Sequence, residues 1–203
     1  MSKYQLQKSS IYYPDTDVPV NKIGIKDSEK VHLIEKNLLE SARTFFISEL
    51  SEKTLFDEQY FKTLHRSTFE SLYDWGGEYR NFDMAKGESR FCQGEFVANE
   101  SKKIFNELAS VNYLKDCKEI PVEEFAKELT YYKCELIMIH PFYEINGRIT
   151  RLFFDLIAMY NGYKPIDYKS YSSKEYIDAS IQCVQFADAS DMEHIILNGL
   201  QKL

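Results

Sequence analysis

His140, Glu144, Asn146, Gly147, Arg148 and Arg151 fall within one short run, HPFYEINGRITR, at residues 140–151. Histidine is the side chain whose unperturbed pKa suits proton abstraction near neutral pH, so His140 is a candidate general base. Glu144 offers a hard carboxylate oxygen of the kind Mg2+ takes beside a nucleotide's phosphates. Asn146 and Gly147 stand where a helix should begin, and the unpartnered N–H groups of a helix start favour an anion. Gly147 lets a phosphate approach the backbone, while Asn146 can cap the helix or donate to a phosphate oxygen. Arg148 and Arg151, one turn apart, can grip phosphate side by side. Taken singly, each residue also suits an ordinary role such as a cap or a surface salt bridge. Their order at one helix start is what points to phosphate chemistry.

The flanking sequence has to hold that run in place. Residues 122–139 carry Phe125, Leu129, Tyr132, Leu136 and Ile139 at helical spacing, which predicts a helix buried along one face. It should break at His140-Pro141, because the residue before proline disfavours the α conformation. A second helix, 147–160, turns Ile149, Leu152, Phe153, Leu156 and Ile157 inward and stops at Asn161-Gly162. Together 122–160 form a helix-loop-helix core with the polar run at its junction. Further helices are predicted from Asp27 or Ser28, from Asp57 to just before Trp75-Gly76-Gly77, and over 95–110, 173–187 and 190–202. Residues 78–93 fit a helix poorly and read as a β-hairpin turning at Lys86-Gly87-Glu88. Residues 1–27 are polar and read as an extended arm.

Composition narrows the classes. With 203 residues, 44% hydrophobic, the chain has material for one good core, and its 8 Gly and 5 Pro favour helices over a loop-rich sandwich. A net charge of −7 argues against a general nucleic-acid surface. No run reaches membrane length and the N-terminus lacks an apolar signal core, so a cytoplasmic protein is expected. Cys92, Cys117, Cys134 and Cys183 show no paired spacing and are expected to be reduced, buried thiols.

At this point the sequence resembles the Fic-domain family. That motif reads His-Pro-Phe-x-(Asp/Glu)-Gly-Asn-Gly-Arg-x-x-Arg, and residues 140–151 agree at every specified position but one. YYPDTDVPVNKIGI at 12–25 resembles the family's lead-in, and WGGEYRNFDMAKGESRFC at 75–92 resembles its substrate-guiding flap. The resemblance implies a mostly α fold, a Fic-type helical bundle with a short β-hairpin flap over the active site, as a single domain over 1–203. It implies transfer of AMP from Mg-ATP to a serine, threonine or tyrosine hydroxyl of a target protein. By position, His140 would deprotonate that hydroxyl and Glu144 would hold Mg2+. Asn146, Gly147 and Arg148 would bind the ATP phosphates, and Arg151 would orient the γ-phosphate. Phe82, Met84, Lys86, Gly87 and Phe91 of the flap would clamp a target segment by main-chain pairing.

Two features depart from the pattern. Ile145 stands where the motif has glycine. A β-branched residue is poorly suited to positive φ, so Ile145 either turns into the core and leaves the backbone path intact, or crowds the cradle. Crowding would open two alternatives: transfer of another phosphate-containing group, or a binding module without chemistry. The intact His140, Glu144, Arg148 and Arg151 favour retained activity. The family's inhibitory signature, (Ser/Thr)-x-x-x-Glu-(Gly/Asn), is also missing; the nearest strings, at Ser48 and Thr54, fail at the last position. The resemblance then implies a separate small antitoxin whose glutamate would reach Arg151.

Overall fold

Acidic and hydroxyl side chains open the helices much where the sequence places them. Asp27 accepts the N–H of Lys30 at the start of α1 (Ser28–Ser48), and Asp57 that of Tyr60 at the start of α2 (Glu58–Phe69). Ser172 and Glu175 form a reciprocal capping box on α6 (Ser173–Phe186). The remaining helices are α3 (Val97–Ser110), α4 (Val122–Ile139), α5 (Asn146–Tyr160) and α7 (Ser190–Gly199). This computed structural model describes residues 5 and 6, as main chain, and residues 11–203. Among the described residues no helix is long and apolar enough to cross a membrane.

The expected pair α4 and α5 sits at the centre. α4 packs on α3, α6 and α7, while α5 packs on α1 and α2. Phe153 of α5 is wholly buried, with the rings of Phe56, Phe61 and Phe105 set edge-on around it. Each such ring contributes about 1.5–3 kcal/mol by leaving water, so the platform behind the polar run is a stiff aromatic cluster. Asn161 ends α5 as expected and is itself buried. Its carboxamide accepts from Cys117 N–H and donates to the carbonyls of Leu114 and Ile157.

Four expectations need correction. α2 stops at Phe69 rather than near Trp75, because the N–H groups of Leu72 and Tyr73 both return to the Phe69 carbonyl and make a turn. α7 stops at Gly199, beyond which Lys202 pairs in extended form with Tyr163. The four cysteines are not all reduced thiols: Cys134 of α4 and Cys183 of α6 form a disulfide, with Cα atoms 5.5 Å apart, and Cys92 and Cys117 are free. Their separation of 49 positions carries no pairing signal; the packing of α4 on α6 brings them together.

The hairpin is shorter than 78–93. β2 (Met84–Lys86) and β3 (Ser89–Arg90) pair antiparallel, with Ala85 opposite Arg90 and Lys86 opposite Ser89. Gly87 turns between them at φ +59°, a value glycine adopts without strain. A further strand, β1 (Gln5–Leu6), pairs antiparallel with β2, giving the order β1-β2-β3. From residue 11 the expected arm runs as turns and extended chain, with Tyr12 bridged to Pro19. Residues 1–4 and 7–10 of that arm lie outside the described residues.

Candidate active site

The break at His140 is sharper than proline alone requires. His140 adopts the left-handed conformation (φ 50°, ψ 60°) and gives its N–H to Leu136, capping α4. The turn is locked by Arg80, which is 2% exposed and donates to the carbonyls of His140, Ile139, Phe82 and Cys92 at 2.6–2.9 Å. One guanidinium thus ties both ends of the hairpin to the histidine's backbone. His140 Nδ1 faces the Ile137 carbonyl at 3.4 Å, an acceptor only, so Nδ1 carries the proton and Nε2 keeps a lone pair. Burial first, and then the charges of Arg80 and Lys86, lower its pKa to about 3, which leaves a neutral imidazole at pH 7. Phe91 stacks on the ring, centroids 3.9 Å apart.

His65, deep in the core, holds the next part of the loop. Its Nδ1 accepts from Gly77 N–H at 2.9 Å, so Nε2 is the protonated nitrogen and donates to the Glu144 carbonyl at 3.1 Å. The ring lies flat on Phe142, 4.0 Å between centroids. Glu144 is 3% exposed. Its Oε1 accepts from the Tyr12 hydroxyl at 2.5 Å and its Oε2 from Ile145 N–H at 3.3 Å.

Ile145 takes the backbone path a glycine would take, φ 67° and ψ 10°, and its side chain is buried in the main core. The left-handed conformation costs an L residue about 1–2 kcal/mol, which burial of the sec-butyl side chain offsets. Of the two expectations for this position, the inward turn is the one observed. Asn146 does not aim its side chain at an anion. Its Oδ1 accepts from Phe142 N–H at 2.7 Å and its Nδ2 donates to Phe142 O at 2.8 Å, closing the loop across 142–146. Gly147 is the open point: a Cβ built there meets nothing within 4 Å.

The arginines diverge instead of lying side by side. Arg148 reaches α1, where Nη2 meets Glu35 Oε2 at 2.8 Å, and the other Glu35 oxygen accepts from the Tyr73 hydroxyl at 2.7 Å. Arg151 turns toward α6, its guanidinium 5.2 Å from the centre of the Tyr176 ring, with Nε donating to Gly147 O. Behind it lies a buried polar group: Lys133, whose pKa burial lowers to about 7, and Asp155, whose pKa burial raises to about 6 against the pull of Arg43 at 3.1 Å.

These residues share a cavity of about 540 Å3 that contains His140, Glu144, Gly147, Arg148 and Arg151 at one end and Lys86 and Phe91 of the hairpin over it. α6 lines it too, with Tyr176 beside Arg151 and with Ile177, Ile181 and Val184, residues that the sequence marks only as helix. The other flap positions behave differently. Phe82 and Met84 are buried beneath the hairpin against Tyr12, and Gly87 forms its tip. Glu35, His65, Arg80 and Tyr12 were also not singled out by sequence, because each acts on the run from a distant element. Among the described residues no group of three or more histidine, cysteine or acidic side chains is gathered to cage a metal ion. A single buried carboxylate such as Glu144 nevertheless suits Mg2+, which keeps several waters and takes its other ligands from substrate phosphates.

Residues 55–158 match the profile of the Fic/DOC family. A probable protein adenylyltransferase of Sinorhizobium fredii is 31% identical over 90% of this chain and 91% of its own length. The protein adenylyltransferase VbhT of Bartonella schoenbuchensis is 31% identical over 90% of this chain, which spans 37% of that longer protein. In fold, the BepC effector of Bartonella tribocorum, crystallised with bound AMPPNP, superposes with a TM-score of 0.81 at 22% identity, covering 95% of this chain and 97% of its own.

Proposed function

We propose that this chain, which belongs to the Fic/DOC family, is a protein adenylyltransferase that moves AMP from ATP to a hydroxyl side chain of a target protein. The observation that carries the reading is a neutral, buried imidazole opening onto the same cavity as an unobstructed helix start at Gly147. His140 Nε2 takes the proton of the target hydroxyl as its oxygen attacks the α-phosphorus. The new O–P bond forms, the bond from the α-phosphorus to the oxygen bridging it to the β-phosphorus breaks, and pyrophosphate leaves with that oxygen. The anionic polyphosphate would draw the pKa of His140 back upward, toward the range of an effective base. The dipole of α5 and the N–H groups around Gly147 receive the phosphates, with Arg148 and Arg151 on either side. The apolar wall of Ile177, Ile181 and Val184 suits the flat base at the other end.

Glu144 is the residue that would hold Mg2+, which when bound neutralises phosphate charge. Its Oε1 is kept in place by Tyr12 and its main chain by His65. The hairpin would receive the target segment by main-chain pairing. Regulation by a separate small antitoxin, whose glutamate would reach Arg151, is part of the proposal; Arg151 lines the same cavity as His140. ATP as co-substrate sets the reaction in a cytoplasm, whether of its own cell or of one it is delivered to.

The test uses Mg2+, bacterial lysate and ATP labelled at the α- or the γ-phosphate, beside a His140→Ala control. Label retained on protein from the α-position alone, and lost in the control, is the expected outcome. Label from the γ-position alone would replace AMP transfer with phosphate transfer, and no His140-dependent label at all would leave a nucleotide-binding module.

A further inference from the structure

Which side of the hairpin can accept another strand is decided by what already covers it. β3 faces α6, where Gln185 donates to Ser89 Oγ at 3.0 Å. Past β3 the chain is pinned, with Phe91 on His140 and Cys92 N–H on the Met138 carbonyl. That side is closed. The outer edge of β2 is therefore the place for main-chain pairing, and the chain's own β1 lies along it, Gln5 opposite Ala85 and Leu6 opposite Met84. The arm is tied down again further on, where Tyr12 packs beneath the hairpin on Phe82 and Met84 and donates to Glu144.

We propose that the strand Gln5–Leu6 is an intramolecular occupant of the flap edge at which a protein target docks, so that a target reaches His140 only by displacing it. The proposal rests on the AMP-transfer reading above. Main-chain pairing is indifferent to side chains, so one edge can serve both the chain's own segment and an unrelated target. A tether as short as the one between Leu6 and Tyr12 gives the strand an effective concentration on the order of millimolar, against which a free target must compete. A pairing of two residues is nevertheless weak enough to be released, each net hydrogen bond being worth roughly a fivefold change in an equilibrium constant. The edge is thereby kept from pairing with other chains while no target is present, a recognised hazard of open strand edges.

The test uses the full-length chain with the double substitution Gln5→Pro and Leu6→Pro, which removes the Gln5 main-chain donor that faces Ala85 and unsuits the segment to pairing. Amide hydrogen exchange at Ala85, the residue of β2 that turns its main-chain groups toward β1, reads occupancy, and His140-dependent labelling of lysate proteins from α-labelled ATP reads access. Exchange at Ala85 should quicken in the double variant while that at Met84 and Lys86, which face β3, stays as it was, and labelling at limiting target should rise roughly five- to thirtyfold, one to two net hydrogen bonds' worth. A synthetic peptide of residues 1–10, added in trans, should lower it again. Unchanged exchange overturns the occupancy, and quickened exchange with unchanged His140-dependent labelling overturns the competition. AMP found by mass spectrometry on Tyr4, Ser9 or Ser10 makes the arm a substrate instead of a barrier and also overturns it. Failure of the transfer reading itself leaves a different signature: quickened exchange while native, double-variant and His140→Ala proteins all label alike.

Discussion

Arg148 and Glu35 meet at 2.8 Å across 113 positions of sequence, joining the anion end of the cavity to the middle of α1. Glu35 is 3% exposed and its second oxygen is taken by Tyr73, so the acid holds the arginine from a fixed base. Glu35→Ala should lower the unfolding free energy by about 1–3 kcal/mol, less than for a fully buried pair because Arg148 retains some solvent. It should also raise KM for ATP, while Glu35→Gln keeps most of both. Denaturant titration and nucleotide binding read the two effects; an unaltered ATP affinity in the alanine variant would deny Glu35 any positioning role.

Gly147 separates folding from binding. Its φ is ordinary and an added Cβ touches no protein atom, so Gly147→Ala should fold normally and gain roughly 0.5–1 kcal/mol in helix propensity. The new methyl would stand in the space open to phosphate, so the Kd for ATP should rise about tenfold or more, the loss of one charge-assisted contact. Calorimetric binding with a thermal melt checks both, and full affinity in the alanine variant would rule out the helix start as the cradle.

What the sequence made legible was local. The break at His140-Pro141, the stop at Asn161-Gly162, the caps Asp27 and Asp57 and the turn at Gly87 all act within a few positions of themselves. The groups that hold the site are not local. His65 reaches the loop across 79 positions, Arg80 across 60 and Tyr12 across 132, and none lies in a pattern that spacing could mark. Side-chain direction was equally hidden: the type of Asn146 suits a helix cap or a phosphate donor, whereas its carboxamide closes on the main chain of Phe142. The Cys134–Cys183 bond depends in the same way on how two helices pack.

Ile145→Gly weighs two opposed terms. The substitution relieves about 1–2 kcal/mol of left-handed strain and gives up about 1.5–3 kcal/mol of burial. The net loss should be no more than about 2 kcal/mol by denaturant titration. Because the backbone already follows the glycine path, turnover should be unchanged within roughly twofold. A large gain in turnover would instead mean that the isoleucine obstructs the nucleotide.

Arg80 is the largest of the wholly buried side chains, and its hydrogen bonds go to carbonyl oxygens. Arg80→Met leaves several of these acceptors unpaired and should cost about 3–5 kcal/mol. Arg80→Lys cannot reach them all with a single ammonium and should recover only part. Removal of the charge should also raise the pKa of His140, which Arg80 helps to lower. Ring NMR of His140 in the lysine and methionine variants reads that shift, and an upward move in methionine alone separates the charge from the packing.

Two histidines make stability fall in acid. Burial lowers the pKa of both His65 and His140 to about 3, against 6.5 when exposed. Between those values the unfolded chain binds protons that the folded chain does not, so stability is full above pH 6.5 and declines as pH falls toward 3. Each ring contributes a slope of up to about 1.4 kcal/mol per pH unit. Asp155, raised by burial to about 6, works in the opposite direction over pH 6 to 4 and softens the total. The comparison of native protein with His140→Ala isolates one ring: the difference in unfolding free energy between pH 7 and pH 4.5 should shrink by about 2–3 kcal/mol in the variant. Parallel pH profiles for the two proteins would mean that His140 takes its proton in the folded state as readily as in the unfolded one, and the lowering of its pKa by burial would have to be abandoned.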